Sequence, residues 1–205
     1  MPSLLFAAGS LWAQVIEFES GSGLRYLTLT KGGVTIMYSH LPSQVREFSI
    51  IQVAISNGSP IPWVIRPEDF RFHKSDGTVL HPSSARTVVN SLFERASRND
   101  VIKLVSTYEI GLYGLSRFQS TSGYEQRRQS ALAEVSSARI KAAAAASAIA
   151  LVHLKLAPGE STDGAIFFST LGKPLGPGRL VVETAGEIFD FDVEDLGASG
   201  GLQRR

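Results

Sequence analysis

The feature that most constrains this chain is a change of pattern in its middle. Short apolar segments with the alternation of β-strands continue to Thr78 and return at Leu151. Between them, about 70 residues space their apolar side chains as helices do. The strands on both sides are short and separated by turns, as in an antiparallel sheet structure. We therefore predict a mainly β protein with an inserted α-helical segment at about residues 82–150.

The strongest strand of the first half is predicted over Val45–Asn57. Its apolar residues occupy both faces, with Ile51, Val53 and Ile55 on one side and Phe48, Ile50 and Ala54 on the other. This pattern predicts a central strand that is covered on both sides. The prolines around Trp63 lack amide donors, so this stretch is expected at a sheet edge or at a crossing between sheets, with Trp63 inward.

The second half centres on Ala157-Pro158-Gly159-Glu160, a polar turn between the apolar segments 151–156 and 162–169. We read this stretch as a hairpin of neighbouring strands that also pair with Val45–Asn57. A last hairpin is predicted around Ala185-Gly186. With the strands of the first half, the total is about seven to nine, as in an antiparallel β-sandwich.

Three helices are predicted in the insertion. The first carries Val88, Leu92 and Phe93 after a cap at Ser83 or Ser84, and the second starts at Asn99 or Asp100. The third runs from Tyr124 to about Ala150, and its alanine run allows close approach to a sheet. Two interpretations remain open for this helix, a structural cover of the sheet or a partner-binding surface.

The order of turns resembles small immunoglobulin-like domains of secreted bacterial proteins and lipoproteins. The residues that carry the resemblance are the strand Val45–Asn57, Glu68-Asp69-Phe70, Asp76-Gly77 and the stretch Leu156 to Phe168. The resemblance implies an immunoglobulin-like sandwich that acts as an extracytoplasmic binding or structural module. The helical insertion departs from those domains, which have a short connection there.

The N-terminus has the composition of a signal peptide. Leu4 to Ala13 is an apolar run too short for a membrane span, and it ends in alanine before Gln14. We predict a signal peptide at residues 1–13, a single sandwich domain at 14–195 and a disordered tail at 196–205. The predicted location is periplasmic or secreted, and no segment of the mature chain is long enough for a transmembrane helix.

The sequence carries no catalytic signature, so we expect a protein that is not an enzyme. It contains no cysteine, and its four histidines (His40, His73, His81 and His153) lack metal-ligand spacing. The weak metal candidates are Asp190, Asp192 and Glu194, which would share one strand face and could contribute oxygens to calcium. Such a face is more commonly solvated. The pair Glu68-Asp69 stands beside Arg66 and Arg71, where surface ion pairs are the ordinary outcome, and a general acid/base role stays open.

Nucleic acid is not an expected partner. The formal net charge is +1, and the basic residues of the insertion are mixed with acids. These basic residues are Arg95, Arg98, Lys103, Arg117, Arg127, Arg128 and Arg139.

The function predicted from the sequence is therefore an exported, non-enzymatic interaction or structural module of the bacterial cell envelope or exterior. Its partner would be another protein or an envelope component, and no cofactor is expected. The alternative is a ligand-binding protein or enzyme whose site lies between the helical insertion and one face of the sandwich.

Overall fold

The computed structural model describes residues 14–42, 44–114, 126–127, 129 and 137–192. Over these ranges the chain is mainly β, with antiparallel sheets and three helices, as predicted. The strands are β1 (Ile16–Glu19), β2 (Arg25–Lys31), β3 (Val34–His40), β4 (Phe48–Asn57), β5 (Trp63–Ile65), β6 (Phe70–Lys74), β7 (Val79–Leu80), β8 (Leu154–Leu156), β9 (Ser161–Ser169), β10 (Gly178–Thr184) and β11 (Glu187–Asp190). The helices are α1 (Ala85–Arg95), α2 (Arg98–Gly114) and α3 (Ala138–Ile149), and Pro67–Asp69 forms one 3-10 turn.

The strands form three antiparallel sheets. One has five strands in the order β1-β2-β3-β4-β9, one has four in the order β11-β10-β6-β7, and β5 pairs with β8 alone. The described residues thus contain eleven strands, more than the seven to nine predicted. The additional ones include β5, β7 and β8, whose two or three residues are too few to show an alternating pattern.

The first apolar core lies between the five-stranded and four-stranded sheets. Alternate residues of β4 meet aromatic side chains of β6 and β11 there, and Trp63 is buried in the same cluster, as predicted. Burial of this much apolar surface is the main term that holds two sheets face to face. Its principal members are Ile36, Ile51, Val53, Ile55, Phe70, Phe72, Phe168, Leu180, Val182, Phe189 and Phe191.

A second apolar core lies on the opposite face of the five-stranded sheet, beneath the helices. Phe48, Ile50 and Ala54 of β4 pack there with Phe167 of β9 and with helix residues. The helix residues include Val88, Leu92, Leu104, Tyr108, Ala142, Ala145, Ala146 and Ile149. The prediction that β4 is covered on both sides is therefore confirmed, and the small alanines of α3 do line a closely packed contact.

The two strands beside the Pro-Gly turn do not pair with each other, so the predicted hairpin is wrong. β8 pairs with β5, whereas β9 pairs with β4 along its full length. The turn carries the chain from one sheet to another and is held by Asn57, whose N–H donates to Glu160 O at 2.9 Å and whose O accepts from Gly159 N at 2.6 Å. The predicted pairing of this region with Val45–Asn57 is confirmed for β9.

Both ends of the helical insertion are hydrogen-bonded to the same strand, β9. Ser83 N–H donates to Phe167 O at 2.7 Å, and Leu151 N–H donates to Ala165 O at 2.9 Å. Both acceptors lie on β9 two residues apart, which corresponds to about 7 Å along a strand. The insertion therefore begins and ends at β9 and also packs over this strand.

Several local predictions in the insertion need correction. Helix α1 is capped by Ser84, one of the two candidates, but Phe93 is exposed rather than in the buried stripe. The second helix starts earlier than predicted, because Ser97 forms a capping box in which Asp100 Oδ2 accepts from Ser97 N at 2.7 Å. Val152, predicted inward, is exposed since the strand begins only at Leu154.

Some predictions fall outside the described residues. These are the signal peptide at 1–13, the tail at 196–205 and the part of the third helix that includes Leu132 and Val135. None of the helices in the described ranges is long and apolar enough to cross a membrane.

Candidate functional site

Two tight turns lie side by side at one end of the five-stranded sheet. The first, Val45 to Phe48, is closed by reciprocal backbone hydrogen bonds of 3.0 Å and leads into β4. The second follows β9 and is closed by Lys173 N–H, which donates to Thr170 O at 3.0 Å. Thr170 N–H also donates to Glu47 O at 2.8 Å, which ties the two turns together. They are neighbours because Phe48 at the start of β4 pairs with the last residue of β9.

Each turn holds a bulky side chain in a backbone conformation that favours glycine. Arg46 has φ 57° and Leu171 has φ 55°, both in the left-handed region. For a residue with a Cβ atom this conformation costs about 1 kcal/mol. Leu171 is also 84% exposed, the highest exposure among the large apolar residues described, so burial does not offset that cost. Both conformations belong to tight turns closed by backbone hydrogen bonds, which require a positive φ at the first central residue.

An open groove of about 820 Å³ lies between these two tight turns and the N-terminal part of α2. The charged and apolar side chains that line it come from three separate parts of the chain. They are Pro42, Arg46, Glu47, Asp100, Lys103 and Leu171, with Gln44 and Gly172 beside them.

The carboxylate of Glu47 is held by α1. Its Oε1 accepts from Ser91 Oγ at 2.6 Å and from Arg95 Nη2 at 2.6 Å. Desolvation opposes ionisation, but the Ser91 hydrogen bond and the charges of Arg95 and Arg46 together lower the pKa of Glu47. Glu47 is therefore ionised at neutral pH, with its Oε1 bound by Ser91 and Arg95.

Asp100 is likewise engaged, in the cap of α2. Its Oδ2 accepts from Ser97 N at 2.7 Å and from Ser97 Oγ at 2.8 Å. Arg46 Nη1 lies 4.0 Å from the same oxygen, at the outer limit of an ion pair. Lys103 has neither an ion-pair nor a hydrogen-bond partner in the described ranges. Of the two cations in the groove, Arg46 therefore lies at ion-pair distance from Asp100, whereas Lys103 is unpaired within the described ranges, and Leu171 is exposed beside them.

The contact between the insertion and the sheet contains buried polar groups that bond to each other. Tyr26 Oη donates to Gly111 O at 2.7 Å and lies 3.2 Å from Gln52 Oε1, and burial raises the pKa of Tyr26 to about 12. Nearby, Tyr108 Oη donates to Asp163 Oδ2 at 2.5 Å. Gln52 Nε2 is buried and has no hydrogen-bond partner among the described residues. These bonds join α2 to strands β2 and β9 and hold the insertion in place.

The weak calcium candidates are only partly brought together. Strand β11 ends at Asp190, so the predicted three-residue strand face is not formed as such, and Glu194 lies outside the described residues. Arg179 bridges the other two, with Nε 3.2 Å from Asp190 Oδ1 and Nη1 2.5 Å from Asp192 Oδ2. No group of three or more metal-ligating side chains occurs within the described ranges. Calcium binding remains a prediction, and an arginine occupies the position between the two described carboxylates.

Asp69, Arg71 and His40 each have a partner within the fold. Asp69 Oδ2 accepts from Arg66 N at 3.0 Å as part of the 3-10 turn, and Arg71 pairs with Glu183 at 2.9 Å instead of with Glu68 or Asp69. The ring of His40 contacts Tyr38 and Phe72, and this enclosure lowers the pKa of His40 although the residue retains exposed surface.

The basic residues of the insertion have different partners. Arg95 binds Glu47, Arg127 donates to Ala148 O at 3.1 Å, and Lys103 faces the groove. Arg117 and Arg128 lie outside the described residues.

Sequence reasoning missed Arg46 and Leu171 as site residues. The sequence predicts Arg46 within the strand Val45–Asn57, which starts only at Phe48, and it assigns no role to Leu171. A signal exists for the second turn, because Gly172 follows Leu171 and suits the left-handed position of a two-residue hairpin turn. No sequence signal places a left-handed arginine at position 46.

Comparison with known proteins adds little to this site. No family model matches the sequence, and no curated protein matches it. Among solved structures, the chain is similar to the yjhA protein from Bacillus subtilis, with a TM-score of 0.33 and 10% identity over 82% of this chain and 77% of that chain. Likeness at this level does not bear on function.

Proposed function

We propose that the protein is an exported, non-enzymatic interaction or structural module of the bacterial cell envelope or exterior, and that the groove is its contact surface. The observation that carries this proposal is Leu171, which is 84% exposed at the edge of the groove although its left-handed turn position favours glycine or asparagine. Backbone strain of this kind concentrates at functional sites. Leu171 lies beside the charged side chains of the groove, where a partner could contact an apolar group and charged groups together.

The immunoglobulin-like assignment is part of the same proposal. It draws support from the resemblance in turn order and from the apolar core shared by two antiparallel sheets. Domains of this class commonly act in binding rather than in catalysis, which is an argument by analogy.

Export to the periplasm or the exterior rests on the apolar run at the N-terminus. N-terminal sequencing of the protein from its native source tests it. We expect the mature chain to begin at or near Gln14. An intact Met1 in a cytosolic fraction would contradict export.

The alternative site between insertion and sheet has weaker support. Tyr26, Tyr108 and Asp163 are buried there and bond within the protein, which favours a structural role for the insertion. We therefore place the contact surface in the groove and not beneath the helices.

The test is retention of partners from native envelope extract on the immobilised full chain. Leu171→Asn should remove the retained partner, because the asparagine keeps the turn but lacks the apolar contact. Val152→Asn is the matched control, since Val152 is also an exposed aliphatic residue but lies outside the groove.

Each result decides the proposal. A partner that is retained by the wild type and by Val152→Asn but lost with Leu171→Asn supports the groove as contact surface. Equal retention by all three chains, or no retention by any, overturns it.

A further inference from the structure

The last residue of β4, Asn57, is followed by a glycine. Asparagine is thermolabile, and a following glycine makes it more so, because glycine has no Cβ atom to hinder attack of its nitrogen on the asparagine side chain. The chain has two other asparagines, Asn90 and Asn99, and neither precedes a glycine. Asn57 is therefore the position at which spontaneous deamidation is chemically easiest.

Deamidation at this pair takes place in two steps. The backbone nitrogen of Gly58 loses its proton to solvent base and forms a bond to Cγ of Asn57. The bond from Cγ to Nδ2 breaks, and the departing nitrogen takes protons from solvent and leaves as ammonia. Water then opens the cyclic imide at either carbonyl, which gives aspartate or isoaspartate at position 57. The reaction needs only water and base, so access to the two groups decides whether it occurs.

Backbone hydrogen bonds hold this peptide in the folded chain. The N–H of Gly58 donates to Gly33 O at 2.9 Å. On the other side, Asn57 N–H donates to Glu160 O at 2.9 Å, and Asn57 O accepts from Gly159 N at 2.6 Å. An amide proton in such a bond reaches solvent only when the structure opens. Loss of the Gly58 proton is the first step of deamidation, so the fold blocks it.

The side chain of Asn57 is held as well. It is completely buried, and its Nδ2 donates to Ile61 O at 2.8 Å and to Leu156 O at 3.0 Å. Its Oδ1 accepts from Ser59 N at 3.0 Å and from Ser59 Oγ at 2.6 Å. The side chain cannot turn its Cγ toward the next backbone nitrogen until these bonds break.

We infer that Asn57 is a deamidation site that is protected in the folded chain and reacts when the chain unfolds, and that the product does not refold. Aspartate at this position would place a carboxylate against the carbonyl oxygens of Ile61 and Leu156, which would lose their donors. Burial of that charge opposes folding, and isoaspartate would also lengthen the backbone at the end of β4. Unfolding therefore becomes irreversible through this residue. The inference is independent of the groove and of the proposed function.

The experiment compares the folded chain with the chain unfolded in guanidinium chloride, both in the same mildly alkaline buffer. Mass spectrometry follows the tryptic peptide 47–71, in which Asn57 is the only asparagine. We expect conversion in the unfolded chain and a rate at least about a hundredfold lower in the folded chain. Asn90, which precedes serine, is the internal control and should convert more slowly than Asn57 in the unfolded chain.

Refolding tests the second part of the inference. After guanidinium is removed, the fraction of chains that regains cooperative unfolding should fall in step with conversion at Asn57. A chain kept unfolded for the same time in mildly acidic buffer should refold, because the backbone nitrogen keeps its proton. Asn57→Asp reproduces one product directly and should unfold at a much lower denaturant concentration than the wild type. Asn90→Asp is the matched control, since Asn90 is exposed on α1, and it should unfold as the wild type does.

Three results would overturn the inference. Conversion rates that agree within about threefold between folded and unfolded chains would show that the fold does not protect the site. An intact Asn57 in the unfolded chain would show that the pair is not reactive. Wild-type stability of Asn57→Asp, or of the converted chains after refolding, would show that the fold accepts the product.

Discussion

Leu171 combines two unfavourable properties, a left-handed backbone and an exposed apolar side chain. Asparagine tolerates the left-handed region better than leucine and is preferred in two-residue turns. We therefore predict that Leu171→Asn raises the free energy of unfolding by about 0.5–1 kcal/mol while it weakens partner binding. Urea denaturation measures the first effect and the retention assay measures the second.

The control for backbone strain is Ala185→Asn. Ala185 also has a left-handed backbone, φ 50°, but stands in the β10–β11 turn away from the groove. It should stabilise the chain similarly without any effect on binding. A loss of stability in Leu171→Asn would show that the leucine has a structural role.

At Gly111, a missing side chain allows α2 to approach the sheet. A Cβ atom there would overlap Gln52 Oε1, and Gln52 is completely buried. Alanine normally favours a helix over glycine by about 1 kcal/mol. We nevertheless predict that Gly111→Ala destabilises the protein by about 1–3 kcal/mol, because the amide must move and Tyr26 loses a partner.

A double-mutant cycle separates crowding from other effects of Gly111→Ala. In a Gln52→Ala background the new methyl group has space, so the second substitution should be nearly neutral. Chemical denaturation of the four chains supplies the coupling free energy. An equal loss of stability in both backgrounds would show that contact with Gln52 is not the cause of the destabilisation.

Among the elements, α1 contacts the turn before β4 through the carboxylate of Glu47, which accepts from Ser91 and Arg95. The pKa of Glu47 is lowered in the folded chain, so the unfolded chain binds a proton at higher pH than the folded chain does. The stability that this group contributes is therefore present above its ordinary pKa of 4.5 and is lost as pH falls below that value.

Glu47→Gln tests this attachment. We predict a loss of about 1 kcal/mol at neutral pH, since Arg95 is half exposed and its ion pair is partly screened. Between about pH 5 and pH 3 the variant should lose less stability than the wild type. Ser91→Ala removes one of the two donors to Glu47, so its loss of stability on acidification should lie between those of the wild type and Glu47→Gln. Identical pH dependence in wild type and Glu47→Gln would contradict the role of this carboxylate.

At the scale of the whole molecule, sequence periodicity predicted much of the fold because periodicity reports burial. The two apolar faces of Val45–Asn57 corresponded to the two cores, and the proline-rich stretch around Trp63 corresponded to a separate strand pair. Pairing was less predictable. The Pro-Gly turn at 158–159 has the composition of a hairpin, yet long-range pairing with β4 and β5 determines where its flanking strands lie.

The groove could not be predicted in the same way. It depends on two turns that are 125 residues apart, from Arg46 to Leu171, and on the start of α2. Their proximity follows from the β4–β9 register, which no local pattern encodes. The calcium prediction for Asp190, Asp192 and Glu194 depended on their closeness in sequence. Arg179, which contacts Asp190 and Asp192, comes from another strand, and no local pattern predicts that contact.

The two cores imply that the insertion is required for folding and is not a removable appendage. Its ends close on β9 about two residues apart, so a short linker of glycine and serine could replace residues 84–149 without stretching the chain. Such a chain would expose Phe48, Ile50 and Phe167, which the helices bury. We predict that it fails to unfold cooperatively and binds the dye ANS, because a large apolar face would meet water.

The control for this deletion places the same linker in the turn at Asp76-Gly77. A Cβ atom at Gly77 would have no neighbour within 4 Å, so the turn is open to added residues. This chain should retain cooperative urea unfolding and should not bind ANS. If the deleted chain behaved in the same way, the two sheets would be a self-sufficient unit and the second core would be dispensable. Because β4 contributes one complete face to each core, we expect the loss of either core to unfold both.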